Sequence, residues 1–128
     1  MKLITLAFLL LSINSMIKAQ SQNNQLRCED FKNGIFEQYV DTMRIETTRN
    51  DSIQIERTRF GEAKYSVKWT SNCKYELELL STTMSFLKDK IGRKYLVTIT
   101  EVLENKCNIE CLILGKNFVH KDTMIKIK

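Results

Sequence analysis

The sequence predicts an all-β protein, an antiparallel meander of about eight strands closed into a small barrel or folded into a sandwich. Three observations carry that reading. Apolar and polar residues alternate through Lys64–Trp69 and again through Cys73–Leu79. Tyr65, Val67 and Trp69 therefore share one face with Cys73, Tyr75, Leu77 and Leu79, while Lys and Glu take the other. Shorter runs of the same kind recur along the chain between tight turn signals. Proline is absent and there are four glycines, which leaves little room for linkers or low-complexity segments.

In chain order, Lys2, an apolar run from Leu3 to Ile13 and a more polar stretch ending at Ala19 read as a secretory signal peptide over residues 1–19. The apolar run is too short for a membrane span of roughly 20 residues, and no second run follows. Cys28 lacks the small-residue box that precedes a lipid-modified cysteine. The expectation is an exported chain, periplasmic or secreted, with residues 20–128 as one β domain and no membrane span after processing. Removing residues 1–19 takes away Lys2 and Lys18 and brings the net charge from +5 to +3.

Gln20 to Gln25 is polar and expected to fray. Asn33-Gly34 signals a turn, and strands follow at residues 35–40, 42–48 and 52–59. Within the third, Ile53 and Ile55 are expected to face inward, with Gln54 and Glu56 outward. The strands at 64–69 and 73–79 form the central hairpin. Residues 81–92 interrupt the meander, with Thr82 or Thr83 placed to cap a helical turn through Leu87, or an ordered loop in its place. Strands at 93–103, 107–114 and 123–128 complete the set, the last with Ile125 and Ile127 inward.

Export would make Cys28, Cys73, Cys107 and Cys111 candidates for disulfides, with three complete pairings open. If Cys107 to Cys111 is one continuous strand, its ends lie about 13 Å apart. A disulfide needs roughly 4.4–6.8 Å between Cα atoms, so that pair would require a turn.

The chemical motifs are sparse. His120 is the single histidine and sits in an expected turn with no nucleophile motif to serve. Cys107, Cys111 and His120 have a poor arrangement for zinc in a compartment that oxidises thiols. No metal, cofactor or catalytic residue is expected, which points away from an enzyme. Basic residues interleave with acidic ones rather than forming a stripe, which argues against nucleic acid. One alternative arrangement carries chemistry. If the third strand turned its polar side inward, Gln54 and Glu56, with Arg49 or Arg57 nearby, would place a charged hydrogen-bonding site inside a barrel.

Asp41-Thr42-Met43, Asp51-Ser52-Ile53 and Asp122-Thr123-Met124 resemble the O-glycosylation site used on exported proteins of one phylum of Gram-negative bacteria. Thr42, Ser52 and Thr123 are the candidate positions. Asp followed by Ser or Thr is equally an ordinary way to start a strand after a turn.

Cys28, Gly34-x-Phe36, Arg49 ahead of Gln54-Ile55-Glu56, and Val67-Lys68-Trp69 with Cys73-x-Tyr75-x-Leu77 together resemble a family of small exported proteins from that phylum. The family's function is not established. Some members carry a topoisomerase-like name, which a chain this short with a signal peptide gives no reason to adopt. The resemblance covers most of residues 28–103. It implies that Cys28 and Cys73 are paired and that Arg49, Gln54 and Glu56 act jointly, and it leaves Cys107 and Cys111 unassigned.

The functional expectation is a non-enzymatic, lipocalin-like barrel holding a small apolar or amphipathic ligand, resting on fold analogy. The candidate ligand-binding residues are Arg49, Gln54, Glu56, Tyr65, Trp69 and Tyr75. The alternatives are a module binding another envelope protein through its outer face, and a hydrolase without a recognisable motif.

Overall fold

The computed structural model describes residues 27–128. The expected signal peptide at residues 1–19 and the polar stretch after it lie outside the described residues. Eight antiparallel strands close into one barrel in chain order. They are β1 (Gly34–Val40), β2 (Met43–Arg49), β3 (Ile53–Thr58), β4 (Gly61–Ser71), β5 (Lys74–Thr82), β6 (Lys94–Val102), β7 (Lys106–Ile113) and β8 (Val119–Lys126). Phe36 opposite Lys126 and Glu37 opposite Ile125 join β1 to β8. That seam decides for the barrel over the sandwich, and it leaves no open sheet edge among the described residues to template aggregation.

Up-and-down topology gives the barrel two distinct ends. One gathers the start of β1, the end of β8 and the turns at residues 50–52, 72–73 and 103–105. A 3-10 helix, η1 (Cys28–Phe31), plugs this end. Phe31 is buried and stacks on Phe36 at 5.9 Å between ring centroids. A disulfide joins Cys28 to Cys73, with 5.3 Å between Cα atoms, and Lys126 Nζ donates to the carbonyl of Asp30. Gly34 leads from plug to barrel at φ 138°, where a Cβ would collide with the carbonyl oxygen of Lys128. Only glycine meets both conditions.

The opposite end carries the connections at residues 41–42, 59–60, 83–93 and 114–118. A second 3-10 helix, η2 (Ser85–Lys90), lies there. Its N-cap is Met84, without a side-chain cap, so the expected threonine caps are not formed. Thr82 Oγ1 instead accepts from the Met84 N–H at 3.0 Å, and Thr83 Oγ1 accepts from the Glu62 N–H at 2.9 Å. Both threonines tie the loop to its neighbours.

The central hairpin behaves as expected. Tyr65, Val67, Tyr75, Leu77 and Leu79 are buried, and side chains of this size stabilise by roughly 1.5–3 kcal/mol each when fully buried. Two other strands are reversed. In β3 the buried residue is Gln54, while Ile53 and Ile55 take the outer face and are half-buried. In β8 Met124 is the inward residue at 1% exposure and Ile127 lies past the strand at 51%. Strand β8 also begins at Val119 rather than Thr123, which takes His120 out of the expected turn.

Candidate functional site

The interior polar site is assembled by cross-strand register. Arg49 on β2 sits opposite Gln54 on β3, and Gln54 sits opposite Tyr65 on β4. Period-two alternation then carries Glu56 to the same inner face as Gln54. Arg49 Nε donates to Gln54 Oε1 at 2.8 Å, Nη1 to the Phe31 carbonyl at 2.7 Å and Nη2 to the Tyr75 hydroxyl at 2.8 Å. Gln54 Nε2 passes the chain on to Glu56 Oε1 at 2.9 Å.

Arg49 is 3% exposed and Gln54 2%, and burial at that level demands that each polar atom be satisfied. The guanidinium carbon also lies 4.4 Å from the Tyr75 ring centroid and 5.2 Å from that of Phe36, a placement that favours the cation electrostatically. Nη2 also lies 3.8 Å from Met124 Sδ, a weak acceptor, and all four partners of Arg49 are neutral. Its negative counterpart is Glu56, reached through the Gln54 amide.

Burial sets the titration of the site. It pushes the Glu56 carboxyl above the usual carboxylate range, against the opposing pull of the Gln54 hydrogen bond and then of the Arg49 charge. It raises the Tyr65 and Tyr75 hydroxyls as well. The free thiols of Cys107 and Cys111 are pushed up to about 11 by the same desolvation and stay protonated at neutral pH.

Two cavities adjoin this set. The first, about 170 Å³, runs from Val40, Gln38, His120 and Asp122 at the rim down to Arg49, Gln54, Tyr75 and Met124. The second, about 180 Å³, is lined by Glu56, Tyr65, Leu77, Tyr95 and Cys111. Glu56, Leu77 and Cys111 line both, so the carboxyl is the shared polar group between two largely apolar lobes. Asp122 Oδ2 accepts from Gln38 Nε2 at 3.1 Å near the rim.

Of the sequence candidates, Arg49, Gln54, Glu56, Tyr65 and Tyr75 come together here. The inward placement of Gln54 and Glu56 reverses the expected orientation of β3. Arg57, the other arginine considered, lies outside with Glu46 and Glu62. Trp69 lines neither cavity. It packs on Tyr75 at 4.6 Å between ring centroids, with Lys32 Nζ 5.1 Å above it, near the plug end of β4. Sequence reading missed Tyr95, Cys111, Met124 and the Phe31 carbonyl. Alternation placed Cys111 on the same face as Cys107 and would have found it, whereas no pattern announces a carbonyl from a plug.

Thr42 and Ser52 are exposed in turns. Thr123 lies inside β8 rather than at a strand start, and its Oγ1 donates to Asn108 Oδ1 at 2.8 Å. Cys107 and Cys111 project from one strand and are free, as a continuous strand requires. His120 lies opposite Cys111 in register, yet no cluster of three metal-ligating side chains forms among the described residues. No helix among the described residues is long and apolar enough to cross a membrane. Comparison with protein-family models, with curated proteins and with solved structures finds no match.

Proposed function

We propose that this chain is an exported barrel protein that binds a small amphipathic ligand inside the barrel. The apolar part would lie against Leu77, Val97 and Ile109, and the polar group would meet Glu56 and the Arg49–Gln54 pair. The observation that carries the reading is the placement of a buried, hydrogen-bonded charged set on the wall of two apolar cavities, with its carboxyl reachable from both. Ligand sites are concave and mostly apolar, with a few convergent polar groups. Each lobe is below the roughly 300–1,000 Å³ of typical ligand sites, which favours a short ligand or one spanning both.

Export, membership of the small exported bacterial family and glycosylation at Thr42 and Ser52 belong to the same reading. The Cys28–Cys73 disulfide supports it, since such bonds persist in oxidising compartments. A second reading, a module binding an envelope protein, is favoured by the exposed Phe60–Phe86 pair.

The test is titration with an environment-sensitive amphipathic dye, 1-anilinonaphthalene-8-sulfonate, against the wild-type chain and Leu77→Trp. The indole in that variant would crowd the wall that the two lobes share. Saturable binding lost in the folded variant supports the interior site, and equal binding by both proteins removes it.

A further inference from the structure

The two ends of the barrel differ in what they show to water. Every connection at the end opposite the plug carries or adjoins an exposed large apolar side chain. Val40 borders the first, Phe60 lies in the second, Phe86 and Ile91 in the third and Phe118 in the fourth. Phe60 is 54% exposed, Phe86 51% and Phe118 64%. Phe60 and Phe86 meet edge to face at 6.0 Å. At the plug end Leu103 and Ile127 are the large apolar side chains exposed among the described residues. A scattered surface hydrophobe needs no explanation, but a concentration around one rim does.

Charge follows the same polarity. Arg59, Lys88, Lys90, Arg93 and Lys116 lie in the rim connections against Asp41 and Asp89, while the plug end, with residues 27–33, 127–128 and its three turns, holds Arg27, Lys32 and Lys128 against Glu29, Asp30, Asp51 and Glu104. The Arg59 guanidinium lies 4.8 Å from the Phe60 ring centroid, so apolar tip and cation are side by side.

We propose that this rim docks on an anionic lipid surface. Aromatic tips enter the boundary between headgroups and acyl chains, and the flanking bases meet lipid phosphates. A lipid layer fits better than a protein because the aromatic tips stand on three separate connections of the rim, with Val40 beside the fourth, and a fluid layer accepts them without a complementary shape. Val40 and His120 border the first cavity at this same end, so docking sets the cavity rim against the lipid. The inference goes beyond interior binding and does not depend on it.

The test is co-sedimentation of the exported chain with phosphatidylcholine vesicles with and without phosphatidylglycerol. Residues 1–26 stay as the cell leaves them, identical in every variant. Binding should require phosphatidylglycerol and weaken with salt. Lys88→Glu with Lys116→Glu should reduce it about fivefold or more per charge. Phe60→Ser with Phe86→Ser should reduce it about tenfold or more, with only a small drop in thermal midpoint, because the rings lose their edge-to-face contact but each is half in water. Three results overturn the proposal: no binding by the wild-type chain, equal binding by the variants, or sedimentation velocity showing that Phe60 and Phe86 hold two copies together.

Discussion

Arg49 and Gln54 face each other across β2 and β3, joined by an Nε to Oε1 hydrogen bond of 2.8 Å. That pair explains why β3 lies with its isoleucines outward. Once Arg49 is committed to the interior by the Phe31 carbonyl and the Tyr75 hydroxyl, its opposite residue must supply an acceptor. Gln54 does so, and an isoleucine there would leave a buried donor unpaired at a cost of roughly 1–3 kcal/mol or more for a charged group.

Arg49→Met should therefore destabilise the barrel by about 3–5 kcal/mol, because Glu56 loses its counter-charge and three oxygen acceptors lose their donor. Urea denaturation measures it. Adding Gln54→Leu to Arg49→Met should recover part of the loss, since removing both partners costs less than removing one. A change below about 0.5 kcal/mol for the single variant, in the range of ordinary surface substitutions, would show the network to be dispensable.

Glu56 gives a pH dependence of definite sign. Its folded-state pKa is raised by burial, so the folded protein holds a proton over a window in which the unfolded chain has lost it. Stability from this group is greatest below the window and falls as pH rises through it, starting from the unfolded value near 4.3. Glu56→Gln keeps an acceptor for Gln54 and removes the titration. Unfolding free energies measured from pH 4 upward should decline less steeply with pH in the variant, and identical slopes would place the carboxyl in water.

Thiol counting separates the four cysteines. With Cys28–Cys73 bonded and the Cys107 and Cys111 thiols held up to about 11 by burial, Ellman's reagent should find no fast-reacting thiol in the folded protein. It should find two after denaturation and four after reduction. The bond closes a loop with a sequence separation of 45, for which chain entropy predicts about 4 kcal/mol of stabilisation. Cys28→Ser with Cys73→Ser should lower the unfolding free energy by that order, and four thiols without reduction would remove the link between plug and hairpin.

The legible part of the fold was the part where hydrophobic alternation and inside–outside agree. Tyr65, Val67, Tyr75, Leu77 and Leu79 follow the period and face the core, and Asn33-Gly34 marked the entry to β1. Strands β3 and β8 were misread for a common reason. In β3 the interior is polar, so the isoleucines mark the outside. In β8 Ile125 and Ile127 outweighed Met124 in hydrophobicity, and the strand's first residues, His120 and Asp122, are polar although both line the cavity rim. A barrel that holds charge breaks the rule by which sequence patterns assign faces. Arg49, Gln54 and Glu56, which the resemblance grouped independently of the pattern, lie joined by hydrogen bonds on the inner face.

Native mass spectrometry of the protein purified from its own host tests the central claim most directly. The account predicts a barrel carrying one small non-covalent adduct, released on unfolding and absent from Leu77→Trp purified in the same way. A wild-type barrel that repeatedly flies at the bare mass of its polypeptide, or an adduct retained in full by Leu77→Trp, would contradict a ligand held between Glu56 and the apolar lobes.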